Sequence, residues 1–217
     1  MKIALLGAEC TGKTQLAGEL AAHLHAQGRR AEPVPEVLRE WCVREGREPR
    51  PEEQLPIARE QEARVDAALL QADIVIADTT ALMVAIYSGM AFEDGELFGF
   101  ALERQCRYDI TLLCALDLPW VADGLHRAGP DVRESVDSQI RDALERAGVP
   151  YRMVYGNGGE RLRNGLAAIS SAPPADDPAY GAARRWKWSC EKCSDPDCEH
   201  RLFTGLSASR AAGRPAT

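Results

Sequence analysis

Short apolar runs alternate with helical stretches along most of the chain. Residues 2–6 are apolar beyond Lys2 and stop at Gly7, the pattern of a strand buried on both faces of a parallel sheet. From 14 to 27 the period changes. Leu16, Leu20 and Leu24 share one helical face with the alanines between them, and Gly28 supplies a stop. Residues 31–35 predict a second short strand. Helical stretches follow at about 36–45 and 51–72, with Pro49, Pro51 and Pro56 marking breaks. The run at 73–78, Asp-Ile-Val-Ile-Ala-Asp, is the clearest strand: short, β-branched and closed by an acid. Helical stretches at 80–90 and 95–106 lead to a fourth strand at 109–116. Residues 117–133, rich in Pro, Gly, Asp and Arg, predict a long loop, and a helix at 134–147 stops at Gly148. A fifth strand at 149–154 and a helix at 159–169 complete the pattern. Strands alternating with helices imply a mostly parallel sheet covered on both faces, a three-layer α/β sandwich.

The pattern ends at Ser170, so residues 1–170 form the expected body. Residues 171–185 contain Ala-Pro-Pro-Ala-Asp-Asp-Pro and read as a linker. Residues 186–205 make a Cys-rich tail, and 206–217 predict a disordered end. Charge shifts at the same place. Residues up to Tyr180 hold 19 basic and 29 acidic side chains, while the rest hold 7 and 4. The net charge of the chain is -7, which argues against nucleic-acid binding through a general basic surface. No apolar run reaches the roughly 18 residues of a membrane span, and the first residues lack the apolar core of a signal peptide. Seven cysteines, four of them scattered between positions 10 and 114, do not form the dense framework of a secreted scaffold. A reducing, cytoplasmic setting is expected.

The sharpest motif follows the first strand. Gly7, Ala8, Glu9, Cys10, Thr11, Gly12, Lys13 and Thr14 fit G-x-x-x-x-G-K-[ST]. Glycines let the backbone wrap phosphates, and amides at a helix N-terminus make an anion nest. Lys13 can reach the β and γ phosphates, and Thr14 offers a hydroxyl to Mg²⁺. A strand before the motif and an amphipathic helix after it disfavour a chance match, and ATP with Mg²⁺ is the expected cofactor pair. Asp78 ends a strand of the type that carries the metal-side acid in such folds. The plainer alternative is a strand-end acid capping the next helix, and Thr79 and Thr80 are either caps or phosphate-side donors.

Four segments together resemble a known family: the phosphate loop, Pro35-Glu36-Val37-Leu38-Arg39-Glu40, the Ile-Val-Ile-Ala-Asp-Thr strand, and Trp120-Val121-Ala122-Asp123-Gly124-Leu125. They look like the NadR-type P-loop kinase domain, the nicotinamide riboside kinase module, over about residues 1–170. The resemblance implies a P-loop NTPase fold with a five-stranded parallel sheet of order 2-3-1-4-5. It also implies ATP-dependent transfer to a nucleoside-like hydroxyl, in NAD biosynthesis. Glu36, Arg39 and Glu40 fall on the family's Glu-x-x-Arg-Glu segment, which faces the acceptor, and Asp123 joins them as a substrate-binding candidate.

Phosphoryl transfer needs positioning, charge neutralisation and an acid that accepts the hydroxyl proton. Asp78 and Glu36 are the two candidates for that acid. Glu36 and Arg39 also fit an ordinary helical i, i+3 charge pair. Residues 117–133 resemble a kinase lid, in which Arg127 and Arg133 would neutralise charge on the transferring group. An exposed polar loop is the alternative. Trp41 and Trp120 either stack on a ring or pack at the core rim. In the tail, Cys190, Cys193, Cys198 and His200 form C-x2-C-x4-C-x-H, a legitimate tetrahedral Zn²⁺ set with an unusually tight last pair. An unliganded tail competes with it.

The leading reading is therefore a MgATP-dependent small-molecule kinase. The second is an ATPase or nucleotide-dependent switch that acts on a protein partner through the tail. A DNA-associated ATPase is the least favoured, given the acidic body.

Overall fold

The computed structural model describes residues 1–91, 95–121 and 130–171. All belong to one compact unit, Met1–Ala172. Five strands form it: β1 (Lys2–Leu6), β2 (Ala31–Val34), β3 (Ile74–Asp78), β4 (Ile110–Cys114) and β5 (Arg152–Val154). The helices are α1 (Lys13–Ala26), α2 (Val37–Glu45), α3 (Pro51–Leu69), α4 (Ala81–Ala91), α5 (Gly95–Gln105), α6 (Pro130–Arg146) and α7 (Gly159–Ser170). The sheet is wholly parallel, in the order β2-β3-β1-β4-β5. That is the three-layer P-loop fold and the strand order expected from the resemblance.

Alternation along the strands builds the layers. Ile3 and Leu5 of β1 join Ile74, Ile76, Ile110 and Leu112 against Leu16, Leu20 and Leu24 of α1, with Leu162 and Leu166 of α7 beside them. Leu6 points the other way, with Leu113, onto Leu82 and Ile86 of α4 and Val136 and Ile140 of α6. Ala4, Val75 and Ala77 take Val65 of α3 on that side. A helical subcluster joins α2 to α5 around Trp41, Ile57, Val84 and Leu97. Complete burial of both faces is why β1, β3 and β4 read as continuous apolar runs.

Register places the chemistry. β1 and β3 are direct neighbours, with Leu5 opposite Asp78. The last residue of β3 therefore stands beside the chain that enters the phosphate loop, at the carboxyl ends of the strands, where open α/β sheets bind ligands.

Three local expectations needed correction. Pro56 does not break α3; it lies on the exposed face, and buried Ile57, Ala58, Gln61 and Val65 hold the helix together around it. α6 begins at Pro130, four residues before the expected start, because proline suits a first helical turn where its missing N–H costs nothing. β5 pairs only over Arg152–Val154; Val149 packs on the α6 side instead, its amide bound to the Leu144 carbonyl.

Candidate active site

The loop after β1 is built by close backbone approach. Gly7 has φ +147°, and a Cβ there would meet Thr11 Oγ1 at 2.9 Å and the Cys114 carbonyl at 3.0 Å. Only glycine fits that corner. The Thr11 hydroxyl donates to the Ala8 carbonyl across 2.8 Å and closes the turn. Gly12 has φ +73°, with its would-be Cβ 3.0 Å from Leu118 Cδ1. Cys10, also at positive φ, sets its Sγ 3.2 Å from the Val121 carbonyl. Glu9 lies partly buried on the same loop.

Lys13 is nearly buried at the first residue of α1, and its Nζ donates to the carbonyls of Gly7 (2.9 Å) and Ala8 (2.8 Å). The ammonium is thus held over the loop. Next to it, Thr14 Oγ1 donates to Asp78 Oδ2 across 2.5 Å. Asp78 is 2% exposed, and its Oδ1 is buried with no partner among the described residues. Arg39 Nη1 reaches the same Thr14 oxygen at 3.4 Å, and Arg39 Nη2 lies 3.2 Å from Glu36. The expected site residues Gly7 to Thr14, Asp78, Glu36 and Arg39 therefore converge.

Other expected residues sit differently. Glu40 pairs with Arg64 of α3 at 2.5 Å. Arg133 lies on α6 rather than a loop, and both terminal nitrogens donate to the Leu118 carbonyl at 3.1 Å. Trp41 packs among α2–α5, with the Arg47 guanidinium 4.8 Å over its ring. Trp120 keeps a buried indole N–H with no partner among the described residues. Thr80 is a cap: its hydroxyl accepts the Leu82 amide and donates to Gln105. Thr79 is buried at φ +70°, a costly conformation for a β-branched residue, and its amide continues the ladder to the Leu5 carbonyl.

Two neighbours on α3, absent from the sequence reading, brace both acid-bearing segments. Gln61 binds the backbone on either side of Glu36. Glu62, 2% exposed, accepts the Ala81 amide at 3.0 Å, the Tyr108 hydroxyl at 3.3 Å and Arg104 Nε at 3.3 Å. Burial, with Glu62 close by, pushes the Tyr108 phenol well above its ordinary range. A signal for both was present: they fall between Ile57 and Val65 at core spacing on the helix. Arg161 was missed in the same way, at i−4 from buried Gly165 on α7.

Residues 2–161 match the family described as AAA domain. The chain belongs to that family. Among solved structures, this AAA-domain chain is similar to NadR protein in complex with NAD and AMP-PNP, at TM-score 0.62 and 17% identity over 79% of this chain and 49% of that one. NadR in complex with NR gives 0.63 and 16%, over 79% and 50%. The chain thus spans about half the length of the NadR structures. Thymidylate kinase from Ehrlichia chaffeensis gives 0.54 and 16%, over 78% of this chain and 97% of that one. No curated protein matches it. The fold of this AAA-domain protein is therefore that of a NadR-like P-loop kinase domain.

The donors fit a hard divalent cation. A hydroxyl and a carboxylate meet at Thr14 and Asp78, with Asp78 Oδ1 left over, and Mg²⁺ takes oxygen ligands from few protein groups, completed by water and phosphate. Among the described residues no cluster of three or more His, Cys, Asp or Glu could hold a metal by itself. Cys10, Cys42, Cys106 and Cys114 form no disulfide among the described residues. Asp123 and Arg127, and the tail set Cys190, Cys193, Cys198 and His200, lie outside the described residues, as do 122–129 of the expected lid. No helix among the described residues is long and apolar enough to cross a membrane.

Proposed function

We propose that this protein is a Mg²⁺-dependent kinase that uses ATP to phosphorylate a nucleoside-like hydroxyl, with nicotinamide riboside as the first acceptor to test. The observation that carries the reading is the meeting of Thr14 with Asp78 beside Lys13, while the Glu36–Arg39 pair reaches the same Thr14 hydroxyl. The similarity of fold to NadR in complex with NR supports the choice of acceptor.

In this reading the loop amides and Lys13 hold the β and γ phosphates. Thr14 and Asp78 hold Mg²⁺, which when bound neutralises charge on the phosphate oxygens. Glu36 and Arg39 face the acceptor, and Arg39 also lies close enough to Thr14 to meet the transferring group. The acceptor oxygen bonds to the γ phosphorus, the bond to the ADP oxygen breaks, and the hydroxyl proton passes to Asp78 or Glu36. Comparing Asp78→Asn with Glu36→Gln separates the two.

The deciding experiment is ADP release with MgATP against a nucleoside panel that includes nicotinamide riboside, with products identified by mass. Acceptor-dependent ADP and a phosphorylated product establish the kinase. Nucleotide binding with only slow, acceptor-independent hydrolysis would overturn it in favour of a nucleotide-dependent switch.

A further inference from the structure

Arg161 lies in the first turn of α7, at 4% exposure, and its guanidinium reaches three separate parts of the chain. Nη2 donates to the Thr11 carbonyl at 2.8 Å, inside the phosphate loop, and to the Ala115 carbonyl at 3.2 Å. Nη1 donates to Asp117 Oδ1 at 2.8 Å and to the Gly156 carbonyl at 2.5 Å. The other oxygen of Asp117 accepts the Gly156 amide at 2.6 Å. Burial raises the Asp117 pKa, but the Arg161 and Gly156 hydrogen bonds outweigh it and hold the carboxyl below its ordinary range.

This is an expensive arrangement for stability alone. The guanidinium is buried, its Nε has no partner among the described residues, and apolar packing of equal volume commonly does as well or better. What it does achieve is orientation. The peptide group is planar and trans, so a carbonyl and the next amide point in opposite directions. Fixing the Thr11 carbonyl on Arg161 turns the Gly12 amide away from the guanidinium. A nest binds phosphate only when its amides are already turned toward the ligand, because reorienting them on binding costs affinity. The same guanidinium ties down the turn at Gly156, where φ is +97°.

We propose that Arg161, held by Asp117, is a positioning residue for nucleotide binding: it preorganises the phosphate loop by fixing the Thr11–Gly12 peptide. The inference rests on the nucleotide reading of that loop and not on the identity of the acceptor. It assigns a function to a residue that lies 150 positions from its loop partner.

The test is direct titration of the full chain with MgATP and with Mg-tripolyphosphate. Wild type is compared with Arg161→Gln, Arg161→Lys and Asp117→Asn, each at a temperature well below its own melting point. Arg161→Gln is expected to weaken both ligands about tenfold or more, and by equal factors, because the lost feature is the phosphate nest. Lysine keeps the charge but cannot span acceptors in three places, so Arg161→Lys is expected to recover less than half of the loss. Asp117→Asn is expected to weaken both ligands severalfold. A folded Arg161→Gln that binds MgATP within twofold of wild type overturns the proposal, and so does full rescue by lysine. Should Arg161→Gln not fold, Arg161→Lys and Asp117→Asn carry the same decision. A wild-type chain that binds neither ligand removes the nucleotide reading itself, an outcome distinct from the variants behaving like wild type.

Discussion

Gln61 spans Glu36. Its side-chain oxygen accepts the Val37 amide at 2.9 Å, and its side-chain nitrogen donates to the Pro35 carbonyl at 3.3 Å, so one buried amide grips the backbone on both sides of the carboxylate. The next residue, Glu62, holds the Ala81 amide just beyond Asp78. One turn of α3 therefore sets the spacing between the two acids that compete for the role of proton acceptor.

Gln61→Leu removes that grip while nearly keeping volume. It leaves a buried amide unpaired, at a cost of about 1–3 kcal/mol. Turnover with a nucleoside acceptor is expected to fall about tenfold, with MgATP affinity unchanged, because both hydrogen bonds of Gln61 go to the Glu36 segment. Steady-state kinetics beside a nucleotide titration checks both halves; equal loss of MgATP affinity would mean a general structural defect.

Lys13→Ala is expected to abolish nucleotide-dependent activity, and wild-type turnover would sink the phosphate-loop assignment. Asp78→Asn can still accept the Thr14 hydroxyl, so it should fold, yet lose about 10²–10³-fold in transfer, the scale of one preorganised charged group. An unchanged rate would reduce Asp78 to a structural residue.

Gly7→Ala tests the cradle. The added methyl would sit 3.0 Å from the backbone carbonyl of Cys114, at φ +147°, and neither can give way cheaply. A loss of about 1–3 kcal/mol in stability is expected, together with loss of MgATP binding. Urea unfolding and titration measure the two; a variant that binds normally would show the corner to be adaptable.

Glu53 ties the start of α3 to the turn before it. Arg47 and the Arg50 amide bind its carboxylate and lower its pKa from 4.5 to about 2. An acid lowered on folding contributes fully above its unfolded value and loses that contribution as pH falls through the folded one. The melting-temperature advantage of wild type over Glu53→Gln should therefore be constant above about pH 5 and shrink steadily toward pH 2. A difference independent of pH would mean that the ion pair adds nothing to stability.

The zinc reading of Cys190, Cys193, Cys198 and His200 predicts about one Zn²⁺ per chain by elemental analysis of purified protein, and the unliganded reading predicts none. Three freely titrating tail thiols in a metal-free preparation would count against it.

How much of this was legible in the sequence depended on distance along the chain. β1, the phosphate loop and α1 are consecutive, so their pattern and chemistry are written side by side. Asp78 was visible because a buried parallel strand is a short apolar run, and an acid at its end stands out. Gln61, Glu62 and Arg161 carry no such local mark, because the backbone groups they hold at Val37, Ala81 and Thr11 lie 24, 19 and 150 residues away. Only their polar character at core spacing marked them. The Gly- and Arg-rich composition before Arg133 reads as a loop and masks a proline-initiated helix.

The central position of β1 also governs the order in which the protein can assemble. β1, the first of these five strands to be synthesised, pairs with β3 and β4, whose residues emerge some 70 and 110 positions later, and the Thr11 carbonyl waits for Arg161. Closing such long loops is slow, and a nascent chain carries its apolar leading strand unpaired meanwhile. A nucleotide that recognises only the finished loop would then act as a late-arriving chaperone, drawing the last docking steps forward without speeding the first.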